Sequence, residues 1–458
     1  MIKTTIYPKI SIFLIVIVAG WYGIKVAKWR TNEIINHDVV SYYAYLPAAF
    51  IYHDLSFEFT SSLPEDFEGR IWTHSAENGN QVQKMTLGNS LLWTPFFLAA
   101  HGYAHFSEYK TDGYTLPYSI AIFIAGLFYL AVGLIFLNKT LKFYFSDLTI
   151  ALVMILLVFG TNLLHYAVIE PGMSHVYSFC LFSIYLFVTI KWSTTPSWSN
   201  SIKLGLLTGL IILVRPSNII VVLVPLLWGV NGIKSFKAKL QIIFKNRFRI
   251  ISAALIALLV FGLQIIYWKS VTGDLLYYSY GDEGFFFLHP HILDGLFSYR
   301  KGWLVYTPVM LFALFGFWYL RKQIPASIAP VLIFLIINIY LVFSWWCWWY
   351  GGSYGARILV ESYAFLSLPL AAVIQKISEK RRIKRSIFII IFGTLIWVNL
   401  FQMRQYRISL LHWDSMSKKA YWGIFLKGYF PDKYQEMLVT PDYEKEKRRR
   451  DEKVRRKR

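Results

Sequence analysis

Apolar runs recur along this chain, the first at 10–24 and the last at 387–402. About 20 apolar residues are needed to cross a bilayer as a helix. A run buried in hydrocarbon must satisfy its own backbone hydrogen bonds, and an α-helix does so. Soluble cores do not contain many separate runs of that length, so an all-α polytopic membrane protein is expected. The composition agrees: 56% of the 458 residues are hydrophobic, 18% aromatic and only 16% charged. The net charge of +21 does not point to nucleic acid. The basic residues sit in short clusters between apolar runs and at the C-terminus, the pattern of the positive-inside rule. Cys180 and Cys347 lie in or beside apolar runs and give neither a disulfide framework nor a metal-ligand spacing. The first run lacks a small-residue cleavage pattern, so it reads as an uncleaved helix.

Two basic clusters anchor the topology. Residues 232–249 hold six Lys and Arg with no acid, and residues 376–385 hold six with one acid, Glu379. Both are expected on the cytoplasmic side. Counting from them gives spans at 250–268, 302–320, 326–344, 358–375 and 387–402 in one direction. In the other direction it gives 217–230, 202–214, 175–191, 148–168 and 117–137. The run 88–106, interrupted by Pro95, His101 and His105, then has both ends on one side and reads as an embedded or interfacial helix. The expectation is about eleven spans and one embedded helix, a bundle of about 11–13 helices. Residues 1–402 form the membrane domain, and 25–116 its long first extracytoplasmic loop. Seven acids lie in that loop between Thr31 and Arg70, among them Glu65, Asp66 and Glu68. Residues 403–458 form a soluble tail, and its terminal charged run 444–458 is expected to be disordered and solvated. The span count puts this tail outside, against the charge rule.

The loop segment Asn36–Pro47 places one carboxylate, Asp38, just beyond the first helix, with Tyr42 and Tyr45 following at helical spacing. A carboxylate at the mouth of an apolar cavity can serve as a general base. An Asp at that position can equally cap the helix that starts there. The chain carries no Gly-rich phosphate loop and no dinucleotide fingerprint, so neither ATP-driven pumping nor a nucleotide-sugar fold has support.

Several segments follow one another in a set order. Asp38 precedes Tyr42-Tyr43-Ala44-Tyr45-Leu46-Pro47, then His53-Asp54-Leu55-Ser56-Phe57 and Gln83-Lys84-Met85-Thr86-Leu87-Gly88. Further on come Arg215-Pro216-Ser217-Asn218, Ser298-Tyr299-Arg300-Lys301-Gly302-Trp303 with Tyr306-Thr307-Pro308, and Trp348-Trp349-Tyr350-Gly351-Gly352-Ser353-Tyr354-Gly355-Ala356-Arg357. In this order, over nearly the whole membrane part, the chain resembles the bacterial GT-C type membrane glycosyltransferases. That superfamily includes protein O-mannosyltransferases and the lipid A aminoarabinose transferase. The resemblance implies a GT-C-like bundle in the bacterial cytoplasmic (inner) membrane with its active site on the extracytoplasmic face. It implies an inverting transfer of a sugar from a polyprenyl-phosphate-linked donor to a protein, lipid or glycan acceptor of the cell envelope. The first-loop acid, here Asp38, then acts on the acceptor. Many relatives carry an Asp-Glu pair in this loop, whereas this chain has His37-Asp38. Glu170, at a position where relatives often place a second acid, becomes the second catalytic candidate.

Lys84, Arg300 and Arg357 are candidates for the lipid phosphate, since fixed cations stabilise a leaving anion. Lys84 and Arg300 can also be solvated loop charges, and Arg357 can pair with Glu361 at i,i+4. Arg215 lies at a helix break marked by Pro216 and serves either as a phosphate contact or as an interfacial anchor. Tyr42, Tyr45, Asp54 and Tyr350 complete the expected substrate-binding set. Asp282 and Glu283 read as an acceptor loop or as solvated charge. No cofactor is required by these residues; a divalent metal at His37 or His175 is left open, since metal sites need several converging ligands. Two other readings stay open: a lipid or solute transporter or flippase, and a polymerase or ligase of carrier-linked glycans. A transporter should show internal repeats and mid-span charges. Here no repeat is visible, and the charges sit at the outer helix ends.

Overall fold

The structure is a computed structural model that describes residues 6–31, 33–62 and 71–448. Glu65, Asp66 and Glu68 of the acidic loop lie outside the described residues. Helix α1 (Tyr7–Val26) leads into a loop with two short helices, α2 (Asp38–Tyr43) and α3 (Tyr45–Phe50). A small hairpin follows, β1 (His74–Ser75) against β2 (Gln81–Val82), with His74 opposite Val82. Next come α4 (Gly88–His105), α5 (Leu116–Leu141), α6 (Asp147–Phe159), α7 (Leu163–Val168), α8 (His175–Thr194) and α9 (Trp198–Val214). A 3-10 segment, Pro216–Val222, precedes α10 (Leu223–Leu227), α11 (Ile233–Lys245) and α12 (Arg247–Thr272). The chain continues through α13 (Ile292–Phe297), α14 (Trp303–Tyr306), α15 (Met310–Gln323) and α16 (Pro325–Phe343). The 3-10 segment Arg357–Ser362 opens α17 (Tyr363–Ser378), and α18 (Arg382–Arg407), α19 (Lys418–Ile424) and α20 (Tyr434–Met437) finish the order.

Among the described residues, seven helical stretches are long and apolar enough to cross a membrane. They are Tyr7–Thr31, Leu116–Leu141, His175–Thr194, Arg247–Thr272, Pro325–Phe343, Arg357–Ser378 and Arg382–Arg407. The other expected spans exist as apolar segments but are short or broken. The run 148–168 is split into α6 and α7 at residues 160–162. The run 302–320 is split ahead of α15, where Pro308 cannot donate a helical hydrogen bond. The run 217–230 begins in 3-10 form. Broken backbone inside a membrane needs internal partners, and at the α6–α7 break they are visible. Asn399 Nδ2 donates to the carbonyls of Phe159 (2.9 Å) and Thr161 (2.8 Å). Asn162 Nδ2 donates to the Tyr354 carbonyl at 3.0 Å, and Tyr363 donates its hydroxyl to Asn162 Oδ1 at 2.8 Å. The Trp-rich loop is thereby locked into the break.

Helices in lipid gain little from the hydrophobic effect and pack through small residues that allow close approach. Gly205 and Gly209 of α9 do this against α12. A Cβ at Gly205 would lie 2.5 Å from the Ala253 carbonyl oxygen, and one at Gly209 would lie 2.6 Å from Val260 Cβ.

The bundle has a basic end and a polar end. At the basic end, Arg249 Nη1 donates to the Pro196 carbonyl (3.1 Å) and the Gly229 amide to Ala326 (2.9 Å). At the polar end, the hairpin reaches α12 through Asn78 and Asn80, each 2.8 Å from the Val271 carbonyl. The Phe286 amide donates to Ser344 at 2.6 Å, and the Trp346 amide to Gly284 at 3.0 Å. Helix α4 keeps both termini at this end. Gly88 abuts the backbone of Leu213 and Val214, and His101 Nδ1 lies 2.7 Å from the Tyr118 hydroxyl at the start of α5. The tail also packs here. Tyr443 stacks edge-on with Trp346 and Trp349 (centroids 6.2 and 5.2 Å), and Lys447 lies 3.4 Å from Asp282. The start of the terminal charged run, 444–448, is helical rather than disordered, because it has this loop to dock on. The rest of that run lies outside the described residues.

Candidate functional site

The polar end gathers charges that the sequence scatters over more than 300 residues, and Asp38 and Arg357 meet there. Asp38 Oδ2 accepts from Arg357 Nη2 at 2.8 Å. The Asp38 side chain is 33% exposed and the Arg357 side chain 12%, so the acid is the accessible partner. Asp38 is not the cap of α2: His37 holds that position, and it makes no capping hydrogen bond. Nor does the carboxylate face a purely apolar mouth, because a guanidinium lies against it. His37 carries the left-handed φ of 50° that side chains seldom adopt, and such residues collect at functional sites.

The expected i,i+4 pair of Arg357 with Glu361 does not form. The segment Arg357–Ser362 is a 3-10 helix with about three residues per turn, so residues four apart do not share a face. Glu361 instead lies 3.5 Å from Arg215 Nη1 and 3.4 Å from His175 Nδ1, and its side chain is 2% exposed. Arg215 Nη1 is also 3.3 Å from His175 Nδ1. Arg215 reaches this position because α9 ends at Val214 and Pro216 starts the 3-10 turn.

Tyr42 is buried within electrostatic reach of Arg215, Asp38 and Arg357 and hydrogen-bonds to Ser174. Burial pushes its phenol up, more than nearby Arg215 pulls it down, so the hydroxyl remains a donor. Tyr280 lies within electrostatic reach of Tyr42, Arg215 and Asp38. Tyr350 lies within electrostatic reach of Arg215, Glu361 and Arg357; its φ is 56° and its hydroxyl donates to the Val342 carbonyl at 2.9 Å. Lys84 stands at the edge of the cluster, paired with Glu283 and 5.1 Å from the Tyr280 ring. Glu283 also accepts from Trp346 Nε1 at 3.1 Å, so it is fixed rather than solvated. Asp282 is exposed and, among the described residues, pairs with the tail lysine Lys447.

Glu170 sits beside the cluster and pairs with His165 Nε2 at 3.4 Å. Burial alone would push its carboxyl up. His165 next to it, with Lys28 and Arg357 further off, outweighs burial and holds it down at about 2. A carboxyl held that low is ionised at neutral pH.

Other expected members do not join the cluster. Tyr45 belongs to α3, not α2, and faces α12: its hydroxyl donates to the Met85 carbonyl at 2.7 Å and its ring meets Tyr267. Asp54 organises its own loop, accepting from Ser56 N (2.8 Å), Ser56 Oγ (2.6 Å) and Phe59 N (2.9 Å). Arg300 ties down the tail, donating to the carbonyls of Asp414 (2.6 Å) and Val439 (2.9 Å). Its neighbour Lys301, not singled out from sequence, is 2% exposed and donates to the Ser353 and Trp413 carbonyls.

Among the described residues, no three of His, Cys, Asp and Glu converge as metal ligands. His37 is exposed, and the Arg215 guanidinium beside His175 would repel a cation, so these two histidines do not fit a shared metal. No family model, curated protein or solved structure matches this chain.

Proposed function

We propose that this chain is an integral membrane glycosyltransferase that moves a sugar from a polyprenyl-phosphate-linked donor to an acceptor on the extracytoplasmic face. The observation that carries the reading is the pairing of an accessible acid, Asp38, with Arg357, beside the pair Arg215–Glu361 with its buried His175. Basic residues crowd the opposite end of the bundle, and the positive-inside rule makes that end cytoplasmic. The cluster then faces outward, where a carrier-linked sugar is presented.

In the proposed step, Asp38 accepts the acceptor hydroxyl proton. The hydroxyl oxygen attacks the anomeric carbon from the face opposite the phosphate. The bond from that carbon to the phosphate oxygen breaks, and the phosphate leaves with the electron pair. Inversion follows from this in-line geometry. Arg357 has a forked guanidinium with five donors, so it can hold Asp38 and still meet a phosphate oxygen. Arg215 and Lys84, each already paired with an acid (Glu361 and Glu283), offer further N–H donors near the departing anion.

The test is transfer by purified protein in liposomes, with polyprenyl-phosphate-linked sugars and mass-spectrometric detection of free carrier and glycosylated product. Release of carrier phosphate coupled to product, lost in Asp38→Asn, supports the reading. Movement of the intact donor across the bilayer without transfer to any acceptor overturns it in favour of a flippase.

A further inference from the structure

At the basic end, helix α11 has no partner among the described residues for most of its surface. Lys239 is buried and lies 5.3 Å from the Trp192 ring, and only Ser235 and Ile243 are half-buried. Everything else is exposed. Ile233, Phe236, Leu240 and Phe244 recur at i, i+3, i+7 and i+11, which lines them up on one face. Their exposures are 78%, 45%, 48% and 70%. A 13-residue helix left this bare in water is marginal. Something must cover the stripe.

Two observations identify the cover. Residues 232–249 carry six Lys and Arg and no acid, so the partner is anionic. The apolar stripe also continues through Phe248 (64% exposed) into Ile251, Leu255 and Leu259 of α12 (51%, 56% and 74%). Those residues are exposed on a helix long and apolar enough to cross a membrane. Arg247 sits at the junction, with its guanidinium 4.9 Å from the Phe244 ring and 4.6 Å from that of Phe248. An Arg there can bury its stem against the rings and hold its guanidinium in the headgroup layer.

We propose that α11 is a membrane-surface helix that binds anionic lipid headgroups. Lys234, Lys237, Lys245 and Arg247 meet the headgroups, and the Phe236–Leu240–Phe244 stripe enters the upper acyl region. Lys239 clips the helix to the bundle through Trp192. The lipid charge at the basic end thus orders a segment joined directly to α12, whose other end holds the hairpin of the polar end.

The experiment is amide hydrogen exchange on the full chain in two kinds of vesicle. One is pure phosphatidylcholine; the other contains about one-third phosphatidylglycerol. Exchange over 233–245 should slow at least ~10-fold in the anionic vesicles, and high salt should reverse this. The quadruple variant K234Q/K237Q/K245Q/R247Q should exchange alike in both vesicles, with α5 protection unchanged as the folding control. Equal exchange of the parent chain in the two vesicles overturns the proposal, and that comparison needs no variant. Protection that follows protein density rather than lipid charge also overturns it, and assigns the face to a second copy of the chain.

Discussion

Arg357 Nη2 lies 2.8 Å from Asp38 Oδ2, joining residues 319 positions apart in the chain. For the proposed transfer this contact holds the base and the phosphate-facing cation together. Asp38→Asn keeps the shape and removes the proton acceptor. It should cut single-turnover transfer by about 10²–10⁴-fold while the melting temperature stays near the parent's. Arg357→Lys should recover little of the loss seen in Arg357→Ala, because a point charge cannot serve two partners as a fork does. A rate for Asp38→Asn close to the parent's would remove Asp38 from the chemistry.

Glu361, 2% exposed, pairs with Arg215 at 3.5 Å and lies 3.4 Å from His175. Removing one partner of a buried pair leaves the other uncompensated, at a cost of about 3–5 kcal/mol. Glu361→Ala should therefore lower stability by about that much, read from denaturation in detergent. Arg215→Met combined with Glu361→Leu should recover much of the loss. A Glu361→Ala protein as stable as the parent would mean that the ion pair does not hold the site.

Asp54 should prove separable from the site. Its carboxylate stabilises a loop through three local hydrogen bonds, each worth about 1 kcal/mol net. Asp54→Ala should raise protease sensitivity around 53–60 and leave the KM for donor unchanged. A raised KM with an intact loop would restore Asp54 to the binding set.

Lys301 gives a pH dependence with a definite sign. Burial pushes its ammonium down to about 7, despite nearby Asp414. In an unfolded chain a lysine titrates near ~10.4. Between those values the unfolded chain binds the extra proton, so stability rises with pH from about 7 to about 10 and is flat below. Melting of the parent should climb across this window, and Lys301→Met should flatten the climb. A slope unchanged in Lys301→Met would assign it to other groups.

The contact of α9 with α12 leaves no space for a side chain at Gly205. Gly205→Leu should destabilise the bundle by about 1–3 kcal/mol or more, the usual cost of overpacking. Arg215 stands one residue beyond the end of α9, so transfer should fall with the loss of packing. A stable, active Gly205→Leu protein would mean that the two helices separate freely.

The class of fold was legible along the chain. Apolar runs of membrane length leave only helices as a solution, and the clusters 232–249 and 376–385 mark one end of the bundle. Both are properties of composition along the chain, so no contact is needed to read them. Tertiary structure decided where helices break and which charges meet. The split at residues 160–162 is tolerated because Asn399, 237 positions or more away, supplies the missing hydrogen bonds. Arg357 points to Asp38 rather than Glu361 because its turn is 3-10, a difference of about half a residue per turn that periodicity cannot resolve. Lys301 carries no local signal at all. Its burial exists only because the Trp-rich loop and the tail close over it from two remote parts of the chain.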